Sequence, residues 1–118
     1  IDFLILDGIP RNVEQAKFME PHIEVLKVFH LSCPDRTELA RRLRKRALKD
    51  NRFDDANETV IQQRFATYEA ETKPILDYYT KERTTEIDAS QAPAKVLYDI
   101  LSGIMKLPAW KEIEQMRV

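Results

Sequence analysis

Asp7, Gly8, Pro10, Arg11 and Gln15 bring an acid, a tight turn, a guanidinium and a primary amide into one short stretch. Residues 1–6 before them are almost unbroken hydrophobe, a pattern that predicts a strand buried on both faces of a parallel sheet. Ligands of such sheets gather where strands end and helices begin, and phosphates above all. Arg11 and Gln15 lie one helical turn apart, so both side chains are expected to project from one face and reach a single ligand together.

A second group of residues suits the same chemistry. Between positions 41 and 52 the chain carries Arg41, Arg42, Arg44, Lys45, Arg46, Lys49 and Arg52 against a single acid, Asp50, before turning to Asp54-Asp55. Arg42 and Arg46 share a helix face, Arg52 lies across a loop, and Arg64 comes from the next helix, so four guanidiniums are expected to converge from separate elements. Such convergence fits a polyphosphate, because guanidinium forks match phosphate oxygens and phosphoryl transfer needs positive charge around them more than it needs a nucleophilic side chain. Taken alone, the run reads as the solvated face of an amphipathic helix. A nucleic-acid patch is a further alternative, but no helix-turn-helix or RNP-like signature accompanies it, and the aromatics needed for stacking lie elsewhere.

These residues must be positioned by a modest amount of structure. The 118 residues, 43% hydrophobic and 33% charged with a formal net charge of −1, suffice for one domain and carry no global bias towards nucleic acid. Cys33 is the single cysteine and cannot form an internal disulfide, and no signal peptide or spanning segment is evident, so the expected location is cytoplasmic. Position 1 is Ile within an expected strand, which reads as the interior of a longer protein.

Asn12 with Gln15 forms a helix cap, and that helix is expected to end near Glu20-Pro21. Residues 25–31 read as a second strand. Asp35 with Glu38 opens a helix to about Leu48, with Leu39, Leu43 and Ala47 facing inward. Residues 49–55 read as a loop. A long helix follows from about Asn57, with a stripe of Val60, Ile61, Phe65 and Tyr68 and with Pro74 as its expected kink or restart. Residues 84–88 form a third strand, and Pro93 starts a helix whose Val96, Leu97, Ile100, Leu101 and Ile104 recur at helical spacing. The tail, with Trp110 and Ile113, reads as a short helix packed outside or as mobile chain. The order implies an α/β architecture, a parallel sheet flanked by helices.

Asp7-Gly8-Ile9-Pro10-Arg11 with Gln15, then Arg46, Arg52-Phe53-Asp54-Asp55, Glu58-Thr59, Arg64-Phe65, Tyr68, Thr72-Lys73-Pro74, Tyr78-Tyr79 and Ile87-Asp88-Ala89 together resemble the nucleoside monophosphate kinases, specifically the adenylate kinases. The resemblance covers nearly the whole chain. It implies a fold of the P-loop kinase type, with residues 1–118 the carboxyl-terminal part of one core domain and residues 46–54 a short lid. The implied activity is reversible phosphoryl transfer from Mg·ATP to AMP giving two ADP. ATP, ADP and AMP are then the partners, and neither nucleic acid nor membrane is; the complete protein is implied to be a monomer.

By the same resemblance Gly8, Ile9, Pro10, Arg11 and Gln15 hold AMP, with Arg11 on its phosphate and Gln15 on its adenine. Asp7 holds hydrated Mg²⁺. Arg42 lies against the adenine of ATP and the backbone around Ala92 meets it. Arg46, Arg52 and Arg64 reach the phosphates, and Asp54 and Asp55 orient them. His30, within a strand, is expected to be structural.

The departures are also informative. Ile9 stands where Phe is frequent, and the spacing from Asp55 to Arg64 is one residue longer than in many relatives. Residues 46 to 52 are too close for a long lid, and no cysteine set for a structural zinc is present. No Gly-x-x-x-x-Gly-Lys-Ser/Thr loop occurs, the only glycines being Gly8 and Gly103. The 118 residues by themselves are therefore expected to be inactive. The alternatives are a noncatalytic nucleotide-binding remnant and a basic nucleic-acid-binding module.

Overall fold

The computed structural model describes residues 3–52 and 56–116. In chain order they form α1 (Val13–Met19), β1 (Val28–Ser32), α2 (Arg36–Lys49), α3 (Glu58–Arg83), β2 (Thr84–Asp88), α4 (Pro93–Met105) and α5 (Pro108–Met116). β1 and β2 pair in parallel, in register from Val28 opposite Thr84 to Ser32 opposite Asp88. A parallel pair needs a crossover, and α2 with α3 supplies it. The fold is the expected α/β class, a two-stranded parallel sheet flanked by helices.

Local chemistry starts the helices where the sequence predicts. Asn12 Oδ1 accepts from the Gln15 N–H at 2.9 Å, and Asp35 Oδ1 accepts from the Glu38 N–H at 3.1 Å. Asn57 caps α3 by accepting from the Thr59 N–H at 2.7 Å. Each cap satisfies a donor that the first helical turn leaves without an intrahelical partner. Pro93 occupies the first turn of α4, where a missing N–H costs nothing.

Several expectations need correction. Residues 3–6, the described part of the first predicted strand, lie in no strand, and Leu4 and Ile5 are 66% and 76% exposed. A strand needs a neighbour to take its N–H and C=O groups. β1 and β2 pair only with each other, so nothing among the described residues fills that role for residues 3–6. The second strand begins at Val28 instead of residue 25 and runs on to Ser32.

Tyr68 is not part of the buried stripe of α3. It is half exposed, and its hydroxyl meets His30 Nε2 at 3.0 Å. Pro74 does not break α3 either; the interruption is at Thr80, with φ 66°. Pro74 and Ala70 both face solvent, where water can satisfy the Ala70 carbonyl that loses its donor. On α4, Val96, Ile100 and Ile104 are partly buried, whereas Leu97 and Leu101 are 56% and 46% exposed. The tail forms α5, whose Trp110 ring lies 5.8 Å from that of Phe3.

Two small cores position the rest. Ala16 of α1 is buried against Ile75 and Tyr79 of α3, with Val13, Val25, Val28 and Tyr78 around them. Seven residues are too few for an independent helix, so α1 depends on this packing. The Tyr78 hydroxyl donates to Glu20 just beyond α1 and ties the same two helices together. On the other side Phe65 is buried beneath the Arg36 guanidinium, 5.2 Å from the ring centroid, and Arg36 pairs with Glu69.

Gly103 is fixed by a close approach. A Cβ there would stand 2.6 Å from Cε1 of Phe29 on β1. Alanine at 103 gains about 1 kcal/mol in helix propensity but must displace that ring, a shift that typically costs about 1–3 kcal/mol. Gly103→Ala is therefore expected to lower Tm in a thermal melt. An unchanged or raised Tm would show that α4 does not seat on Phe29 in this way.

Candidate functional site

The turn ahead of α1 is shaped by Gly8, whose φ of 81° lies in the left-handed region that side chains avoid. The Ile9–Pro10 bond after it is cis. Arg11 Nε–H donates back to the Gly8 carbonyl at 3.2 Å, and the Arg11 backbone N–H donates to Gln15 Oε1 at 2.7 Å. Arg11 thus precedes the Asn12 cap and is not on the helix. It meets Gln15 through the turn, a route different from the shared helix face that the spacing implies. Gln15 keeps Nε2 for other use, since its amide oxygen is committed to Arg11. Ile9, Asn12, Glu14, Gln15, Phe18 and Met19 line an open concavity of about 490 Å³ beside this turn. Glu14, Phe18 and Met19 are wall residues that the motif gives no reason to single out.

At the ends of the two strands a second group assembles. The Ala89 N–H donates to the Ser32 carbonyl at 2.8 Å and carries the pairing one residue past β2. Arg42 of α2 donates from Nη1 to the Ala89 carbonyl at 2.5 Å and from Nη2 to the Ser90 carbonyl at 2.9 Å. Its Nε–H donates to Glu38 Oε1 at 3.0 Å. Arg41 grips both oxygens of the same carboxylate, at 2.9 and 2.7 Å. The loop is braced from within: Asp88 Oδ1 accepts from the Ser90 N–H at 2.9 Å and from its hydroxyl at 2.5 Å, and these bonds hold the Asp88 carboxyl below its usual range. Ala92 is the N-cap of α4 and offers only backbone, its carbonyl accepting from the Lys95 and Val96 N–H groups. Arg42 and the backbone before Ala92, far apart in sequence, are therefore neighbours.

The remaining predicted cations stand elsewhere. Arg46 is exposed in the last turn of α2, and Arg64 is exposed on α3. Arg52, beyond the C-cap of α2, pairs with Asp50 at 3.0 Å. Asp54 and Asp55, and with them the end of the lid, lie outside the described residues. A second concavity, of about 240 Å³, is lined by Arg36, Thr37, Ala40, Arg44, Glu58 and Gln62 between α2 and α3, and Arg44 donates to Glu58 there at 2.7 Å.

His30 has the structural place expected of it. Its Nδ1 faces Glu86 Oε1 at 3.1 Å, directly across the ladder, and its Nε2 meets the Tyr68 hydroxyl, which fastens α3 to the sheet. Asp7 is an exposed single carboxylate, and the described residues hold no group of three or more His, Cys, Asp or Glu that could cage a metal. One open carboxylate does fit a Mg²⁺ carried on nucleotide phosphates and approached through water, since that ion keeps several of its waters.

No family model matches the chain. Among curated proteins it is 48% identical over 80 residues, 64% of its length, to an adenylate kinase of Leptospira biflexa serovar Patoc, of which those residues make up 42%. It is 37% identical over 102 residues to an adenylate kinase of Cyanothece sp., covering 81% of this chain and 51% of that protein. An adenylate kinase of Azobacteroides pseudotrichonymphae is 37% identical over 109 residues, covering 87% of this chain and 56% of that one. The chain spans about half the length of the curated relatives it matches.

The two arginines on Glu38, Arg41 first and Arg42 second, lower its carboxyl from 4.5 to about 2. A carboxyl with a depressed folded value stabilises the fold above its unfolded value and loses that contribution as pH falls through the folded one. The contribution is thus complete at neutral pH and is lost between about 4.5 and about 2. An NMR titration of the Glu38 carboxyl is expected to give a midpoint near 2, raised more by Arg41→Ala than by Arg42→Ala. A midpoint in the ordinary carboxylate range would contradict the arginine clamp.

Proposed function

We propose that this chain, a relative of the adenylate kinases, serves in a nucleoside monophosphate kinase that moves the γ-phosphoryl group of Mg·ATP to AMP and so forms two ADP. The observation that carries the reading is the Gly8 turn. Arg11 folds over it, Gln15 is tied to it, and it opens on a concavity of about 490 Å³, roomy enough for a nucleotide, in a chain 48% identical over 80 residues to an adenylate kinase. The activity is assigned to the full-length protein. The 118 residues alone lack a Gly-x-x-x-x-Gly-Lys-Ser/Thr loop and are expected to be inactive.

In this reading Arg11 takes the AMP phosphate and Gln15 offers Nε2 to the acceptor adenine. Arg42 lies against the adenine of ATP, with the backbone near Ala92 beside it. Arg46, Arg52 and Arg64 surround the transferring phosphoryl group, oriented by Asp54 and Asp55, and residues 46–54 act as a lid that excludes water. Asp7 would hold Mg²⁺ through water, and the ion would supply neutralising charge to the ATP phosphates. Arginine charge and positioning do the catalytic work, because the reaction asks for no covalent intermediate on the protein.

The ion pairs weigh against a nucleic-acid module. Arg36, Arg41, Arg42, Arg44 and Arg52 each face a carboxylate of the chain, so much of the basic run is already neutralised for a long polyanion. No helix among the described residues is long and apolar enough to cross a membrane. A monomer in the cytoplasm completes the proposal.

A coupled assay of ADP formation on the full-length protein with Mg·ATP and AMP is expected to show turnover. Arg11→Ala is expected to lower kcat/KM for AMP by about 100-fold, a typical loss for one charged group on a transferring phosphate. No ADP, or full activity in that variant, would overturn the assignment. Gln15→Asn, whose amide falls one methylene short, is expected to cut the preference for AMP over CMP by about 10-fold. An unchanged preference would show that Gln15 does not read the base.

A further inference from the structure

Arg42 uses its donors inside the protein. Nε, Nη1 and Nη2 go to Glu38, Ala89 and Ser90 at 3.0, 2.5 and 2.9 Å. These bonds use three of the five guanidinium N–H groups and lie in its plane, so none of them covers the flat face. Two of the acceptors are carbonyls of the loop after β2, and the third is a carboxylate one turn back on α2.

Glu38 is itself fixed on every side. Arg41 holds both of its oxygens, and its backbone N–H is bound by the Asp35 cap. An unbroken line of hydrogen bonds therefore runs from the start of α2 through Glu38 and Arg42 to the β2–α4 loop. Without the carboxylate, Nε loses its partner, and rotation about the end of the Arg42 side chain would take both loop bonds with it. The Ala89 and Ser90 carbonyls would then lose the donors that order them.

We propose that Glu38 is a positioning residue for the ATP base: it holds Arg42 flat against the carbonyls of Ala89 and Ser90, and so sets both the guanidinium face and the loop backbone that the adenine meets. The inference rests on the reading of Arg42 and the loop at Ala92 given under the proposed function. It has a consequence for selectivity. A cation's face stacks on any aromatic base, so stacking on Arg42 does not by itself distinguish ATP from GTP, and that choice falls to hydrogen-bonding groups such as the loop backbone.

The test compares steady-state kinetics of the full-length protein with those of Glu38→Ala and Glu38→Gln. Glu38→Ala is expected to raise KM for ATP by about 3- to 10-fold, the scale of one ordinary hydrogen bond, and to leave KM for AMP unchanged. Glu38→Gln keeps an acceptor oxygen and is expected to restore most of the loss. Amide hydrogen exchange at residues 90–92 is expected to quicken in Glu38→Ala.

If both KM values rise together with a fall in Tm, the residue is merely structural and the proposal fails. It fails equally if KM for ATP does not move. Should the unsubstituted protein form no ADP from ATP and AMP, the kinase reading is what falls, and exchange at residues 90–92 then decides alone. Faster exchange in Glu38→Ala upholds its hold on Arg42 and the loop without the base-positioning role, and unchanged exchange overturns both.

Discussion

The parallel pairing of β1 with β2 is the constraint on which the site depends. With Val28 opposite Thr84 and Ser32 opposite Asp88, both strands leave the sheet at the same end. The helix that follows β1 and the loop that follows β2 must then start side by side, and Arg42 can span from one to the other only for that reason. In an antiparallel pair the two exits would lie at opposite ends of the ladder and the contact could not form. The Ala89 N–H on the Ser32 carbonyl extends the constraint one residue into the loop.

From this end of the sheet the molecule divides into two parts of differing construction. The group on α2 and the β2–α4 loop is made of charge-assisted hydrogen bonds, with Glu38, Arg41, Arg42 and Asp88 each satisfied by a named partner. The Gly8 turn is lighter. Gly8, Arg11 and Gln15 hold one another, and a seven-residue helix is kept in place by Ala16 against Ile75 and Tyr79 and by the bond from Tyr78 to Glu20. A short helix seated on a few apolar contacts opens at lower cost than a strand ladder. The part proposed to take the acceptor is thus the more easily adjusted of the two.

What the sequence made legible was local. Asn12 with Gln15 and Asp35 with Glu38 announce helix starts by side-chain chemistry over three residues, and β2 falls on residues 84–88 as predicted because Thr84, Thr85 and Ile87 favour an extended chain. The contacts that define the site are not local. Arg42 meets Ala89 across 47 positions, and no periodicity encodes that separation. Glu38 is legible as the partner of the Asp35 cap, but its hold on Arg42 depends on where the β2–α4 loop arrives. The strand expected at residues 1–6 shows the same limit from the other direction: hydrophobic sequence specifies a tendency, whereas a ladder needs a neighbour. Thr80, with its positive φ, interrupts α3 where no glycine or proline marks the place.

The central claim is that two nucleotides lie end to end on this scaffold, the acceptor at the Gly8 turn and the donor at Arg42, with their phosphates sharing the arginines between. Calorimetry of the full-length protein with a dinucleotide of two adenosines joined through a polyphosphate tests this most directly. The account predicts one equivalent bound more tightly than either AMP or ATP. Binding no tighter than that of AMP, or ready displacement by a random oligonucleotide, would contradict it.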